Sequence, residues 1–95
     1  MIKEKKVKFT AGQICATPGA LEAMNLSEQS PMEFVGRHVT GDWGDVCEDD
    51  AKVNEESLEH GLRLLSSYRT NEGVKLWVIT EADRSATTIL LPEEY

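Results

Sequence analysis

Polar side chains that could bind a partner or do chemistry are concentrated in two short segments, each next to a tight turn. The first segment surrounds the run GDWGD and the second follows an apolar strand; the residues concerned are Arg37, His38, Asp42, Trp43, Asp45, Asp83 and Arg84. A Trp flanked by charges is a typical anchor of a protein interface, because Trp and Arg dominate the energy of many interfaces. We therefore predict that these residues form a partner-binding surface centred on an exposed Trp43.

A structural interpretation accounts for the same residues. Trp43 would close one end of the core, and Asp42 and Asp45 would cap the following helix and hold the turn. Asp83 and Arg84 would form a simple hairpin turn with a local ion pair. The two interpretations differ in where they place Trp43, which is exposed in the first and buried in the second.

Catalysis is a further interpretation of His38. An aspartate at position 42 or 45 could orient this imidazole as a general base. The sequence places no serine or cysteine nucleophile beside it, so we assign no catalytic residue and keep a small hydrolase using His38 as an alternative function. Cys15 lies in a predicted strand and is expected to be an inert core residue.

Metal ligands are present, but their spacing does not fit a metal site. A calcium loop needs oxygen ligands at alternate positions and glycine at the sixth, and loops starting at Asp42 or Asp45 do not meet this requirement. The residues that could bind zinc lack the usual short paired spacings and are Cys15, His38, Cys47 and His60. We predict no metal and no cofactor.

Negative charge is concentrated in one part of the chain. The formal net charge is −7, and segment 42–59 alone has eight carboxylates against Lys52, which also sums to −7. This field disfavours direct binding to nucleic acid or to an anionic membrane, and favours a protein partner with a basic face. Carboxylates along a helix also approach the charge spacing of one DNA strand, so an acidic DNA mimic is a second alternative function.

Length and composition fit one domain. The chain has 95 residues, of which 40% are hydrophobic and 28% charged, enough for one modest core and unlike a disordered chain. Residues 1–8 have four lysines against one glutamate and are predicted to be a basic flexible tail, which leaves 9–95 as a single α+β domain. Neither a membrane span nor a secretory signal is visible, so a cytoplasmic location is expected. The oligomeric state is left open.

The hydrophobic pattern predicts helices in the first two thirds of the chain. A first strand covers 7–16 with a weak point at Gly12, and a short helix follows behind Thr17-Pro18 over about 21–24. A capping box at Ser30-Pro31-Met32-Glu33 begins a helix that ends near residue 39. A third helix covers 48–60, with Gly61 as its C-cap. Its inward residues are predicted to be Ala51, Asn54 and Leu58.

After residue 61 the period changes from 3.6 to 2 and predicts three strands. They cover 63–70, 74–81 and 86–91, with hairpin turns at 71–73 and 82–85. The middle strand is apolar on both faces and should be central. The expected fold class is α+β: an antiparallel C-terminal β-meander, an N-terminal strand, and two to three short helices packed on one face.

Four blocks of the sequence resemble a family of small proteins carried by plasmids, integrative elements and prophages of bacteria. The blocks are GQICATPGALEAM, RHVTGDWGDV, LRLLSSY and KLWVITEADRSATTILLPEEY, and the resemblance covers nearly all of residues 9–95. Members of the family sometimes carry a restriction-system subunit label. We do not take that label as an activity, because 95 residues are too few for a methyltransferase or a motor nuclease subunit.

The resemblance implies a bacterial mobile-element setting and no catalytic assignment. Together with the charge distribution, it leads us to expect a non-enzymatic, protein-binding accessory module. The expected target class is a component of host defence.

Overall fold

The helices and strands begin and end close to their predicted positions. The computed structural model describes residues 6–95, and its elements in chain order are β1 (Gln13–Ala16), α1 (Pro18–Leu26), α2 (Pro31–Val39), α3 (Glu48–His60), β2 (Leu64–Arg69), β3 (Lys75–Thr80), β4 (Ala86–Leu90) and a 3₁₀ turn (Pro92–Glu94). The predicted α+β fold is confirmed, as are the bounds of α3 and its C-cap at Gly61. The first strand is shorter than predicted, because Gly12 has a φ of +65° and turns the chain just before Gln13.

The four strands form one mixed sheet in the order β1-β4-β3-β2. Strands β2, β3 and β4 are the predicted antiparallel meander, with Leu64 opposite Thr80 at one end of the β2–β3 pair. Strand β1 pairs in parallel with β4, where Ile14 lies opposite Thr87; the sequence pattern did not indicate this pairing. Strand β3 is therefore central, as predicted, and its two apolar faces suit an interior strand.

The hydrophobic core lies between one face of the sheet and helices α1 and α2. Its buried members are Ala20, Ala23, Met24, Phe34, Val35, Tyr68, Leu76, Val78 and Ile89. They recur at three- and four-residue intervals in the helices and at every second residue in the strands. This repeat is the source of the correct helix and strand predictions.

Helices α1 and α2 begin differently. The Thr17 hydroxyl accepts a hydrogen bond from the Ala20 N–H at 3.2 Å, which confirms the predicted N-cap of α1. Ser30 precedes α2, but its side chain makes no capping hydrogen bond. The predicted capping box is therefore wrong. The Glu33 carboxylate instead accepts a hydrogen bond from the Gln29 amide at 2.5 Å, so it does not reach back to the start of its helix.

Helix α3 lies along the free edge of β2. Asn54 donates its side-chain N–H to the Leu65 carbonyl at 2.7 Å and accepts the Leu65 N–H at 3.1 Å. These two bonds satisfy backbone groups that an edge strand leaves open. Asn54 is buried as predicted, whereas Ala51 and Leu58 are only half-buried and Ser57 is buried in addition.

Residues 1–5 of the predicted basic tail lie outside the part of the chain that the structure describes. Lys8, the last residue of that segment, donates its backbone N–H to the Val39 carbonyl at 2.7 Å. Its ammonium group lies 3.7 Å from the Glu55 carboxylate. Lys8 therefore contacts both the end of α2 and the middle of α3.

Candidate functional site

The GDWGD segment pairs with the free edge of β2. Ser67 donates its N–H to the Trp43 carbonyl at 3.0 Å and accepts the Asp45 N–H at 2.6 Å. Between these two bonds Gly44 has a φ of +74°, and a Cβ atom there would lie 2.2 Å from the Ser67 carbonyl oxygen. Both the left-handed conformation and the close approach therefore require glycine at position 44.

Trp43 is buried, with only 6% of its surface exposed. Its indole N–H donates to the Glu55 carboxylate at 2.8 Å, and its ring stacks on Phe9 with the centroids 6.3 Å apart. The expectation that Trp43 is exposed is therefore wrong, and the structural interpretation describes its position. Because Glu55 satisfies the indole N–H, the ring can enter the interior without leaving an unpaired donor.

His38 is fully buried and is linked through both ring nitrogens to hydroxyl groups. Its Nδ1 lies 2.5 Å from Ser66 Oγ, and its Nε2 lies 2.8 Å from Thr80 Oγ1. The row continues from Thr80 to Thr87 over 2.7 Å, and Thr87 donates its hydroxyl to the Ala11 carbonyl at 2.7 Å. A polar row thus crosses the core face of the sheet.

The end of this row determines where the protons lie. Because Thr87 uses its only hydroxyl proton on a carbonyl oxygen, it accepts the proton of Thr80. Thr80 in turn accepts the Nε2–H of His38, so Nδ1 is left to accept the Ser66 hydroxyl. The network assigns the neutral Nε2–H tautomer to His38.

Burial disfavours the charged imidazole and, with a smaller contribution from the nearby Arg84 charge, lowers the pKa of His38 from 6.5 to about 4. His38 is therefore neutral near pH 7. The Ser66 hydroxyl lies within the distance that a general base requires. However, His38 and Ser66 are each 0% exposed, so no substrate atom can reach this pair in the observed conformation.

Arg37 and Asp42 form an ion pair at the surface next to the turn. Arg37 Nε lies 2.7 Å from Asp42 Oδ2, and this hydrogen bond raises the pKa of the guanidinium. The guanidinium carbon also lies 4.4 Å from the Tyr68 ring centroid. Asp42 accepts the Gly44 N–H at 3.2 Å, so its carboxylate holds the turn as the structural interpretation expects.

Arg84 joins the β3–β4 turn to the end of α3. It donates hydrogen bonds to the Leu62 carbonyl at 2.7 Å and the Ser57 carbonyl at 3.0 Å. These carbonyl groups lie at the negative end of the helix dipole, where a cation is favourable. Arg84 therefore has a structural task that its position in a hairpin turn did not indicate.

The two remaining predicted site residues, Asp45 and Asp83, are exposed and lie in separate turns. Asp45 lies 3.6 Å from Arg69. Hydrogen bonds from the Ser85 side chain and backbone lower the pKa of the Asp83 carboxyl. Within residues 6–95 the predicted ion pair between Asp83 and Arg84 is not formed, because Arg84 is directed toward the end of α3.

Three of the predicted site residues meet at Phe9. Its ring lies edge-on to His38 with the centroids 5.1 Å apart, stacks on Trp43, and has the Arg84 guanidinium carbon 5.7 Å from its centroid. The predicted residues are thus partly brought together, but around an aromatic side chain in the interior. Their convergence forms the end of the core and offers little surface to a partner.

An exposed surface with mixed character remains on α3. Val53 is 55% exposed, and its helical neighbours at i−4, i−3 and i+3 are exposed carboxylates. We define the α3 surface as Asp49, Asp50, Val53 and Glu56. It adjoins a cleft of about 200 Å³ between α3 and β2, lined by Asp50, Val53, Asn54, Arg63 and Leu65.

No family model, curated protein or solved structure compared with this chain matches it. The resemblance to the mobile-element family therefore stays a prediction. Residues 6–95 contain no group of three or more His, Cys, Asp and Glu side chains that could hold a metal ion. In the same range, no helix combines the length and apolar character needed to cross a bilayer.

The sequence interpretation did not find the hydroxyl groups that hold His38. A signal for them was present in β2, where Ser66 stands between Leu64 and Tyr68 on the core face of the strand. A polar residue at a core position needs a buried partner. A buried histidine on the facing helix is such a partner, but only the fold shows that the two meet.

Proposed function

We propose that this protein is a non-enzymatic binding module of the bacterial cytoplasm, and that its partner is a protein with a basic face. The α3 surface supports this proposal, because exposed Val53 is flanked by carboxylates and lies beside a cleft. Protein interfaces commonly combine an apolar centre with a polar rim. On this proposal an apolar side chain of the partner enters the cleft, while its basic groups face Asp49, Asp50 and Glu56.

The charge distribution supports a basic partner in particular. The first turn of α3 contains Glu48, Asp49 and Asp50, and all three are exposed. Opposite charges accelerate encounter and orient the two proteins before contact. The apolar contact at Val53 would then hold the complex, because exposed ion pairs contribute little on their own.

The resemblance to mobile-element proteins adds a setting and a target class to this proposal. A protein encoded by such an element acts on proteins of its bacterial host. Components of defence against foreign DNA are therefore the first class of partner to examine. Many such components bind DNA and so have the basic face that the α3 surface would contact.

An acidic DNA mimic is the second candidate, and the row of carboxylates along the 13 residues of α3 favours it. The row is interrupted at Glu55, whose carboxylate binds the Trp43 indole and lies close to Lys8. A duplex also presents two rows of phosphates. For these two reasons we prefer an ordinary protein interface.

Capture from a bacterial lysate with matched variants tests the proposal. The bait is the full chain, as wild type, as Asp49→Asn/Asp50→Asn/Glu56→Gln, and as Val53→Ser. A control variant, Glu22→Gln/Glu28→Gln/Glu72→Gln, removes the same charge from exposed positions elsewhere. We expect one partner that the wild type and the control retain and that both α3 variants lose.

Three outcomes would contradict the proposal or redirect it. Failure of the wild type to retain any partner above the background of an unrelated acidic bait argues against a binding module. Equal loss from the control triple means that net charge is read and the α3 surface is not. Retention by Val53→Ser, together with displacement of the partner by duplex DNA at low salt, favours the mimic.

A further inference from the structure

The sheet face opposite the core contains a second cavity, separate from the α3 surface. Its volume is about 270 Å³, and its floor is formed by Ile79, Thr88 and Leu90 from the two central strands. Tyr95 forms one wall and packs edge-on against Trp77 with the ring centroids 5.8 Å apart. The volume is below the range of about 300–1,000 Å³ for drug-sized ligands, so the cavity suits a smaller molecule.

Two opposite charges face this cavity without pairing with each other. Arg63 and Glu81 both line it and lie one position beyond the Leu64–Thr80 pair, so they stand opposite each other on adjacent strands. Opposite charges in such positions normally interact. Among the described residues, however, they form no ion pair, and the Arg63 guanidinium carbon instead lies 5.4 Å from the Tyr95 ring centroid.

The other carboxylate at the rim, Glu94, is already fully engaged. It accepts hydrogen bonds from the Thr17 hydroxyl at 2.5 Å, the Gly19 N–H at 3.1 Å and the Leu91 N–H at 2.9 Å. These bonds, that of Thr17 first, lower the pKa of its carboxyl. The charges left for a ligand are therefore one cation, Arg63, and one anion, Glu81.

We infer that this cavity binds a small zwitterion with an apolar side chain, as in a free α-amino acid. The ligand carboxylate would face Arg63, its ammonium group would face Glu81, and its side chain would lie on Ile79 and Leu90. A ligand with only one charge would cover the opposite charge of the cavity without pairing it, which is costly. This ligand site is independent of the proposed partner surface on α3.

Titration of the full ¹⁵N-labelled chain by NMR tests the inference. The ligands are L-leucine, L-methionine and L-phenylalanine, together with 4-methylpentanoate and 3-methylbutylamine, which are leucine without its ammonium and without its carboxylate. We expect at least one amino acid to shift the Trp77 indole N–H and the Thr88 and Tyr95 amides in a saturable way. Each single-charge analogue should bind about tenfold more weakly than leucine.

Charge-removing variants assign the two poles. Glu81→Gln should weaken binding of leucine and the amine but not of 4-methylpentanoate, and Arg63→Gln should show the reverse selectivity. Both side chains are on the surface, and the dispersion of the NMR spectrum reports that each variant is folded. Glu72→Gln and Lys75→Gln, at the far end of the same hairpin, are matched controls that should leave binding unchanged.

The inference is overturned by any of three results. One is the absence of saturable shifts at these resonances with all three amino acids. Another is binding of both analogues as tightly as leucine, which would indicate an apolar cavity without polar recognition. The third is an equal effect of the control variants and the cavity variants.

Discussion

Asn54 forms with Leu65 the two backbone hydrogen bonds that a neighbouring strand would otherwise supply. Its amide donates at 2.7 Å and accepts at 3.1 Å, so one side chain substitutes for a strand at the edge of the sheet. The buried residues of α3 are Asn54 and Ser57, both polar. The position of α3, and with it the α3 surface, therefore depends on hydrogen bonds more than on apolar packing.

Replacing Asn54 by alanine should detach α3 from the sheet edge. We expect the free energy of unfolding to fall by about 2 kcal/mol, because two hydrogen bonds are lost and the Leu65 backbone is left unpaired. Urea denaturation followed by circular dichroism measures this change. Glu56→Ala, at an exposed position of the same helix, is the control. A loss no larger than that of the control would mean that other contacts hold α3.

Replacing Trp43 by alanine should destabilise the domain before it affects binding. Removal of a buried large aromatic side chain costs about 3–5 kcal/mol, which urea denaturation measures directly. Trp43→Phe keeps a ring stacked near Phe9 but loses the bond to Glu55, so its cost should be smaller. Weaker partner binding by Trp43→Ala with unchanged stability would restore the loop as a binding surface.

Stability should fall in mild acid because His38 is buried in its neutral form. Its pKa in the folded state, about 4, lies below the ordinary value of 6.5, so the unfolded chain takes up a proton that the folded chain excludes. The stabilising contribution is complete above pH 6.5 and is lost as the pH falls toward 4. Its full size is about 3 kcal/mol, at 1.36 kcal/mol per pKa unit.

Unfolding free energies measured at intervals across this pH range test the assignment. His38→Gln should be less stable near neutral pH but should lose the slope between the two pKa values. His60→Gln, at the exposed end of α3, should keep it. A slope that persists in His38→Gln would have to come from carboxyl groups.

Two neighbouring serines on opposite faces of β2 should respond oppositely to alanine. Ser66 holds Nδ1 of His38, so Ser66→Ala leaves a buried nitrogen unpaired and should cost about 1–3 kcal/mol. The Ser67 hydroxyl is buried and has no hydrogen-bond partner within residues 6–95. Ser67→Ala should therefore leave stability unchanged or raise it by about 1 kcal/mol. Thermal melts of both variants decide this, and a larger loss for Ser67→Ala would reverse the assignment.

Two glycines offer a second matched pair. Alanine at Gly44 would bring its Cβ to 2.2 Å from the Ser67 carbonyl oxygen, whereas alanine at Gly36, within α2, would meet no atom within 4 Å. Gly36→Ala should raise the free energy of unfolding by about 0.5–1 kcal/mol, because glycine is unfavourable inside a helix. Gly44→Ala should lower it and separate the loop from β2. Equal melting temperatures for the two variants would contradict the close approach at Gly44.

Local patterns predicted the elements well because the forces that form them are local. The apolar periods that define α3 and the three C-terminal strands lie within each segment, and so do the two hairpin turns. The pairing of β1 with β4 was not predictable, since it depends on where the chain returns after the helices. The capping box at Ser30 failed because Gln29, a residue outside the motif, takes the Glu33 carboxylate.

The candidate site was predicted less well than the fold. Charged residues around Trp43 suggested exposure, but Glu55, twelve positions away, supplies the partner that allows the indole to be buried. The cavity between Arg63 and Glu81 follows from strand register and from the position of Tyr95. Neither relationship is visible in the spacing of residues along the chain.

The parallel pairing of β1 with β4 has a kinetic consequence. The Thr17 hydroxyl and the Ile89 carbonyl are 72 positions apart, so closing this contact loses far more chain entropy than forming either hairpin. Non-local pairings of this kind form late. The β2–β4 meander can therefore assemble first and serve as a template on which β1 and α1 dock. In the native state the same segments would open first, so amide hydrogens of residues 13–16 should exchange with solvent before those at the centre of β3.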